Sequence, residues 1–275
     1  MHTDCVVIGA SVLGCGYALA HSENCVIIEP SMLLAAEFGS AYRLEAAKAP
    51  DKCSAETKEL YDDMVKRNIL RNGRMSSIPV SAMLAKRLLD KNVPVIFSAC
   101  VTDISRSGDG YTVTYFGTDG EKKVDCKRIL DTAATGTLHD ECRRFAFSKN
   151  LSAMLCFEKK SGLTEQNIKA IESVRAENVR IVKGRFRDEY ALKLRLDMNA
   201  DYSEARKAVA DCFIKLKEDG VISGWRIAAI SSFFDYEFEK SIKTEAAENF
   251  LWVPSASYSN LFEAFEGGLL CSFTQ

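Results

Sequence analysis

The stretch from Asp4 to Glu29, DCVVIGASVLGCGYALAHSENCVIIE, constrains the fold of this chain more than any other. Cys5 to Ile8 is a short apolar run, typical of a strand buried on both faces of a parallel sheet. A glycine-containing turn, a short helical segment and a second apolar strand follow, and that second strand ends at Glu29. This order predicts a strand, turn, helix and strand, with the helix packed on the sheet.

The turn, Gly9-Ala10-Ser11-Val12-Leu13-Gly14, matches the pattern G-x-G-x-x-G except that Ser11 replaces the middle glycine. The first glycine permits a sharp turn and the last permits close helix packing. The helix N-terminus then presents N–H groups to a pyrophosphate. Glu29 lies 20 residues after Gly9, where a carboxylate accepts hydrogen bonds from a ribose diol. The candidate dinucleotide-binding residues are therefore Gly9, Ala10, Ser11, Gly14 and Glu29, with the Ser11 hydroxyl able to donate to a phosphate. The alternative is a glycine-rich turn without a nucleotide.

Composition excludes several classes of function. The chain has 275 residues, enough for one large domain or two small ones, and its net charge of −2 offers no electrostatic case for nucleic acid or an anionic membrane. The first strand starts by residue 4 and no apolar run approaches the length of a membrane span, so we expect a cytoplasmic protein. None of the ten cysteines forms a C-x-x-C pair, and the three histidines show no metal-binding spacing. The oligomeric state stays open.

Downstream of this unit, the patterns predict helices, a β-meander and then a different kind of layer. The predicted elements are helices at residues 51–72 and Ser81–Lys91, meander strands Cys100–Ser105, Tyr111–Phe116 and Lys122–Cys126, and a separate buried strand Lys127–Asp131. In the middle of the chain they are strands Leu151–Glu158, Val179–Asp197 and Trp225–Asp235, the second broken near Arg187-Asp188, with helices Ile168–Arg175 and Ser203–Glu218. Long strands with intervening helices indicate an α+β layer.

Three separated pieces carry a family resemblance: the first turn unit, the Val93–Gly136 region ending in ILDTAATG, and ASYSNLFEAFEGG near the C-terminus. Together they resemble the FAD-dependent oxidoreductases of the glutathione-reductase-like fold, over residues 1–136 and about the last 25 residues. The resemblance implies an α/β protein. Its Rossmann-like FAD-binding domain, with a β-meander, would comprise residues 1–140 and 249–275. An inserted α+β substrate domain would comprise residues 141–248.

The resemblance also implies roles for individual residues. Gly9, Ser11 and Gly14 would hold the FAD pyrophosphate, and Glu29 the AMP ribose. Val101 would contact adenine through its main chain, and Arg43 would contact the ribose or the diphosphate. Thr135 and Gly136 would form a turn against the flavin. Asn260 would begin a helix whose N-terminus points at the flavin ring. The alternative for Arg43 is a solvated arginine. Asn260 could also be a helix cap, and the two roles of Asn260 can hold at once, because a capped helix can still aim its dipole at the ring.

No catalytic residue is identified from the sequence. His139 would face the ring or be structural. The central strands contain aromatic residues and arginines that would suit a planar or carboxylate-bearing substrate, or would form a solvated face: Arg185, Phe186, Arg187, Tyr190, Arg195, Phe233, Phe234 and Tyr236. The expected function is hydride transfer between FAD and a small organic substrate. The alternatives are an NAD(P)-dependent Rossmann dehydrogenase, or a degenerate flavin-binding protein that acts through a partner.

Overall fold

The computed structural model describes residues 1–44, 47–48, 51–76, 79–134, 145–159, 162–174 and 176–273. The first part contains β1 (His2–Ile8), α1 (Val12–Ala20), β2 (Cys25–Glu29), α2 (Ala55–Lys66), β3 (Leu70–Arg71), β4 (Arg74–Met75), α3 (Pro79–Asp90), β5 (Val95–Phe97), β6 (Cys100–Ser107), β7 (Gly110–Gly117) and β8 (Gly120–Asp131). The middle contains β9 (Ala146–Phe157), α4 (Glu165–Glu172), β10 (Val179–Lys183), β11 (Tyr190–Leu196), α5 (Tyr202–Glu218), β12 (Trp225–Ile230) and β13 (Asp235–Phe238). The chain ends with β14 (Thr244–Ala247), β15 (Phe250–Trp252) and α6 (Leu261–Leu269).

The N-terminal and C-terminal parts build one sheet of eight strands. Its main path runs β14-β15-β8-β1-β2-β5, with β7 paired to β8 and β6 paired to β7. β1 pairs in parallel with both β2 and β8, and β15 joins the far side of β8, also in parallel. The apolar residues of β1 and β2 are buried, as expected for strands covered on both faces. This arrangement confirms the predicted Rossmann-like α/β class with a β-meander.

The third meander strand differs from its prediction. Lys122–Cys126 and Lys127–Asp131 were predicted as two strands, but they belong to the single strand β8. Its first half pairs antiparallel with β7 and its last seven residues pair in parallel with β1. No glycine or proline interrupts the segment, so the backbone continues. The pattern changes only because the strand passes from a half-exposed hairpin into a sheet that is buried on both faces.

Helices α1 and α6 cross closely through glycines. A Cβ added at Gly268 would lie 2.1 Å from the Leu13 carbonyl oxygen, and one added at Gly16 would lie 2.4 Å from the Phe265 carbonyl oxygen. Only glycine allows such an approach of two backbones. The C-terminal helix is thereby placed against the first helix of the chain.

The middle of the chain forms a separate antiparallel sheet of five strands, in the order β10-β11-β9-β12 with β13 also on β9. Its apolar residues pack on α5 around Trp225 and Tyr190, which are completely buried. The predicted break near Arg187-Asp188 corresponds to the loop between β10 and β11. β12 and β13 pair one after the other with the same strand, so the segment Ser231–Phe234 forms the connection between them. Among the described residues, no helix is long and apolar enough to cross a membrane.

Candidate functional site

A cavity of about 610 Å³ lies at the carboxyl ends of β1 and β2, between the parallel sheet and the second sheet. Ligands of open α/β sheets bind at this edge. The parallel sheet and its loops supply Ile8, Gly9, Ala10, Ser11, Ile28, Glu29, Pro30, Ala36, Glu37, Ala99, Cys100, Val101, Thr132, Ala133 and Ala134, and the second sheet and α5 supply Tyr202, Ser232, Phe233, Phe234 and Tyr236. The structure therefore brings together five of the residues expected to bind the cofactor: Gly9, Ala10, Ser11, Glu29 and Val101.

Glu29 joins the end of β2 to the glycine turn. Its Oε2 accepts a hydrogen bond from the Ala10 N–H at 2.7 Å, and its Oε1 accepts one from the Ser31 N–H at 2.8 Å. Gly9 has φ +90°, a conformation that glycine adopts without strain. The carboxylate is buried at the cavity wall and is held in place by main-chain donors on both sides.

The Ser11 hydroxyl is committed to the protein. It donates to Thr132 Oγ1 at 2.7 Å and accepts a hydrogen bond from the Gly14 N–H at 3.0 Å, so Ser11 caps α1. Donation from this hydroxyl to a phosphate stays a prediction. A Cβ at Gly14 would lie 2.6 Å from the Gly9 carbonyl oxygen and 3.0 Å from Val7, which confirms the predicted close packing.

A second carboxylate, missed by the sequence analysis, lies at the N-terminus of α1. Glu37 Oε1 accepts hydrogen bonds from the Val12 N–H at 2.7 Å and from the Ser255 hydroxyl at 2.6 Å. Ser255 Oγ in turn accepts one from the Leu13 N–H at 3.2 Å. Burial raises the pKa of Glu37 above 4.5, although the bonds from Ser255 and Val12 and the charge of Arg43 act in the opposite direction.

A sequence signal for Glu37 existed. It is the lone acid within the apolar stretch Leu33–Phe38, LLAAEF, and an acid that is buried among apolar residues needs a dedicated partner. Ser255 and Thr132 offered no comparable signal, because isolated hydroxyl residues in loops are common.

Arg43 is buried but does not line the cavity. Its Nε forms an ion pair with Asp235 at 2.5 Å, and its Nη2 donates to the Tyr236 carbonyl oxygen. Its Nη1 donates to the carbonyl oxygens of Ala256 at 3.1 Å and Tyr258 at 3.0 Å. The guanidinium is therefore engaged by protein acceptors, where the sequence predicted either a ribose or diphosphate contact or a solvated side chain.

Asn260 also lies outside the lining of this cavity. Its Oδ1 accepts a hydrogen bond from the Phe262 N–H at 2.9 Å, which makes it the cap of α6, and its Nδ2 donates to the Lys48 carbonyl oxygen. The cap is thus present, and the orientation of α6 toward a flavin ring stays a prediction. Thr135, Gly136 and His139 fall outside the described residues.

The second sheet contributes an aromatic wall to the cavity. The rings of Tyr202 and Phe234 have centroids 5.9 Å apart, those of Phe234 and Tyr236 are 6.2 Å apart, and Phe233 completes the group. The Tyr202 hydroxyl donates to the Ser231 carbonyl oxygen at 2.7 Å, which fixes its ring against the connection between β12 and β13. These four rings define the aromatic wall.

The other expected substrate-facing residues lie elsewhere. Tyr190 is buried in the core of the second sheet, with its hydroxyl bonded to Glu172, and Phe186 is half exposed. The three arginines do not reach the cavity: Arg185 stacks on Phe186, Arg187 pairs with Glu165, and Arg195 donates to the Phe147 carbonyl oxygen. In the part of the chain that the structure describes, the only charged side chains lining the cavity are Glu29 and Glu37.

No protein-family model matches the chain, and no curated protein matches its sequence. Solved structures do match it. The aklavinone-11 hydroxylase, solved with FAD and aklavinone, has a TM-score of 0.61 and 12% identity, covering 91% of this chain and 56% of the hydroxylase. The FAD-dependent chondrochloren halogenase of a myxobacterium has a TM-score of 0.63 and 13% identity, covering 98% of this chain and 73% of the halogenase. The p-nitrophenol 4-monooxygenase of Pseudomonas putida has a TM-score of 0.56 and 13% identity, covering 98% of this chain and 77% of the enzyme.

The chain therefore has the α/β fold of a class of flavoproteins that includes FAD-dependent hydroxylases and halogenases. At 12–13% identity the likeness shows the fold alone. The chain spans only 56% of the length of the aklavinone hydroxylase.

Proposed function

We propose that this chain binds FAD and is an oxidoreductase acting on a small organic molecule, as a member of the glutathione-reductase-like flavoprotein superfamily. One observation carries the proposal. The cavity at the carboxyl ends of β1 and β2 is lined on one side by the glycine turn, Glu29 and Val101, and on the other by the aromatic wall. The fold shared with FAD-dependent hydroxylases and halogenases supports it.

Residues of the parallel sheet fit the adenosine end of FAD. The Glu29 carboxylate would accept hydrogen bonds from the ribose diol, and the main chain at Val101 would contact adenine. In this proposal residues 1–140 and 249–275 hold the cofactor, and residues 141–248 cover it. The fit at the diphosphate end depends on Glu37. Its carboxylate accepts the hydrogen bond from the Val12 N–H that a bound diphosphate would otherwise accept.

Bound FAD would supply hydride transfer. The protein would supply binding, orientation and exclusion of water, with the aromatic wall covering a planar substrate or the ring system. Since no described lining residue is basic, we propose a planar substrate without a carboxylate.

Two observations favour a second candidate, a degenerate flavin-binding protein that acts through a partner. Glu37 occupies the N-terminus of α1, and the chain spans 56–77% of the compared flavoenzymes. The third alternative, a nicotinamide-dependent Rossmann dehydrogenase, does not explain why the chain has the β6–β8 meander.

The test is cofactor content followed by redox cycling. Purified protein should show flavin absorbance and release FAD on heating, or take up FAD on titration. Gly14→Val should abolish this uptake, whereas Gly117→Ala, on a glycine whose added Cβ has no neighbour closer than 3.6 Å, should preserve it. A purified protein that does not bind FAD but binds NAD would contradict the proposal. Flavin that is photoreduced and reoxidised, without turnover of any planar organic substrate, would favour the second candidate.

A further inference from the structure

We infer that Glu37 makes this cavity select its ligands according to their charge. Its carboxylate occupies the position at the N-terminus of α1 that a nucleotide diphosphate would take. A diphosphate then binds only once Glu37 is protonated or has moved away. The inference rests on the proposed function, because it concerns the regulation of the same cavity.

The geometry shows an oxyanion already bound at the helix N-terminus. α1 runs for nine residues, and its first main-chain donor, the Val12 N–H, lies 2.7 Å from Glu37 Oε1. The next donor, the Leu13 N–H, reaches the same carboxylate through the Ser255 hydroxyl. The Gly14 N–H is taken by Ser11. A phosphate at this end of α1 would have to replace Glu37, since the donors that favour an anion are in use.

The charges around the cavity also disfavour a bound diphosphate. Glu29 and Glu37 are the only charged side chains among the described residues that line it. Arg43, which belongs to the same loop as Glu37, is held by Asp235 and three carbonyl oxygens. A diphosphate would therefore meet two carboxylates without a basic side chain from the described lining. Like charges placed together at a binding site weaken the affinity for an anionic ligand.

Protonation of Glu37 would remove this obstacle. The titratable and charged groups that face it are Cys15 of α1, Glu29 of β2 and Arg43 of its own loop, and Tyr202 and Tyr236 line the other side of the cavity. Burial, together with the charges of Glu37 and Glu29, raises the pKa of Cys15, so this thiol stays neutral. Burial also raises the pKa of Glu37, so its carboxylate takes up a proton at a higher pH than an exposed glutamate does. Diphosphate binding should then be accompanied by uptake of one proton, and its affinity should rise as the pH falls.

The experiment compares adenosine with ADP and FAD, because only ADP and FAD carry the diphosphate. Dissociation constants are measured by calorimetry between pH 5.5 and 8.5 for the wild type, Glu37→Gln and Glu121→Gln. Glu121 is exposed on β8 and does not line the cavity, so its substitution controls for loss of one negative charge.

At pH 8 we expect Glu37→Gln to bind ADP and FAD about tenfold more tightly than the wild type, or better, with adenosine unchanged. The wild type should lose up to about tenfold in ADP affinity per pH unit above the pKa of Glu37, and the variant should lose this slope. Glu121→Gln should match the wild type.

If the wild type binds FAD and Glu37→Gln binds ADP no more tightly, the inference is wrong and the proposed function stands. If neither protein binds FAD, ADP or adenosine at any pH, both are wrong. Binding of ADP by Glu37→Gln alone supports the inference. Should the variant fail to fold by circular dichroism, the wild-type profile decides, because a pH-independent ADP affinity contradicts a carboxylate at this position.

Discussion

Arg43 and Asp235 form a buried ion pair between the two sheets, with Nε and Oδ1 2.5 Å apart. Asp235 is the first residue of β13 and also contacts Lys193 of β11. The pair therefore ties the loop that follows β2 to the second sheet. Because Phe233 and Phe234 immediately precede Asp235, the same contact holds the aromatic wall opposite Glu29.

Replacing Arg43 with alanine should lower the free energy of unfolding by about 3–5 kcal/mol, because it leaves Asp235 charged and buried with fewer partners. Urea unfolding measures this change. The control is Arg67→Ala, which removes a half-exposed pair with Asp63 and should cost about 1 kcal/mol or less. Arg43→Lys should not restore stability, because one ammonium cannot reach the four acceptors. Equal effects of the two alanine variants would contradict a structural role for the buried pair.

Gly268→Ala should destabilise the chain by about 1–3 kcal/mol, because the added methyl group would lie 2.1 Å from the Leu13 carbonyl oxygen and would push α6 from α1. Gly117→Ala is the matched control, since its nearest neighbour would be 3.6 Å away. Thermal unfolding compares the two variants. A shift of similar size in both would show that the helix crossing tolerates a side chain.

Glu29→Ala should weaken FAD binding by about 1.5–3 kcal/mol through loss of charge-assisted bonds to the ribose. The variant also loses the acceptor of the Ala10 and Ser31 N–H groups, so some loss of stability accompanies it. Binding of adenosine and 2′-deoxyadenosine separates the two effects. The wild type should prefer adenosine, and the variant should bind both alike; an undiminished preference in the variant would remove Glu29 from the ribose site.

Glu266 should make stability depend on acid pH. It accepts hydrogen bonds from the Ser54 N–H at 2.9 Å and the Ser54 hydroxyl at 2.6 Å, and one from the Thr57 hydroxyl. Burial alone would raise its pKa, but these hydrogen bonds outweigh burial and lower the pKa below 4.5.

The stabilisation by Glu266 is therefore complete above pH 4.5 and is lost as the pH falls through the lowered folded-state pKa. Glu266→Gln should be less stable than the wild type by about 1 kcal/mol at pH 7. The difference should shrink as the pH falls through the lowered folded-state pKa, because the wild-type carboxyl then becomes protonated as well. Unfolding curves at several pH values check this, and a constant difference would contradict the assignment.

Several local elements could be predicted because their causes are close together in sequence. The apolar run Cys5–Ile8, the turn at Gly9 and the acid at Glu29 belong to one strand–turn–helix–strand unit, and this unit formed as predicted. The break near Arg187-Asp188 was also predicted from the local sequence, and it corresponds to the loop between β10 and β11. β8 was predicted as two strands because its burial changes along its length, although its backbone does not break.

Local sequence patterns were enough to predict the parallel unit at the N-terminus, the meander and the α+β character of the middle. Periodicity, glycine turns and caps act over a few residues, so they can be read without the fold. The contacts around the cavity, in contrast, depend on tertiary packing. Arg43 meets Asp235 across 192 residues of chain, and Ser255 meets Glu37 across 218. Such pairs depend on how the two sheets pack and on where α6 returns to α1. No local sequence pattern encodes a contact between residues so far apart in the chain. For this reason the spacing singled out Glu29, whereas the partners of Glu37 on the same cavity wall, Val12 and Ser255, became visible only in the folded chain.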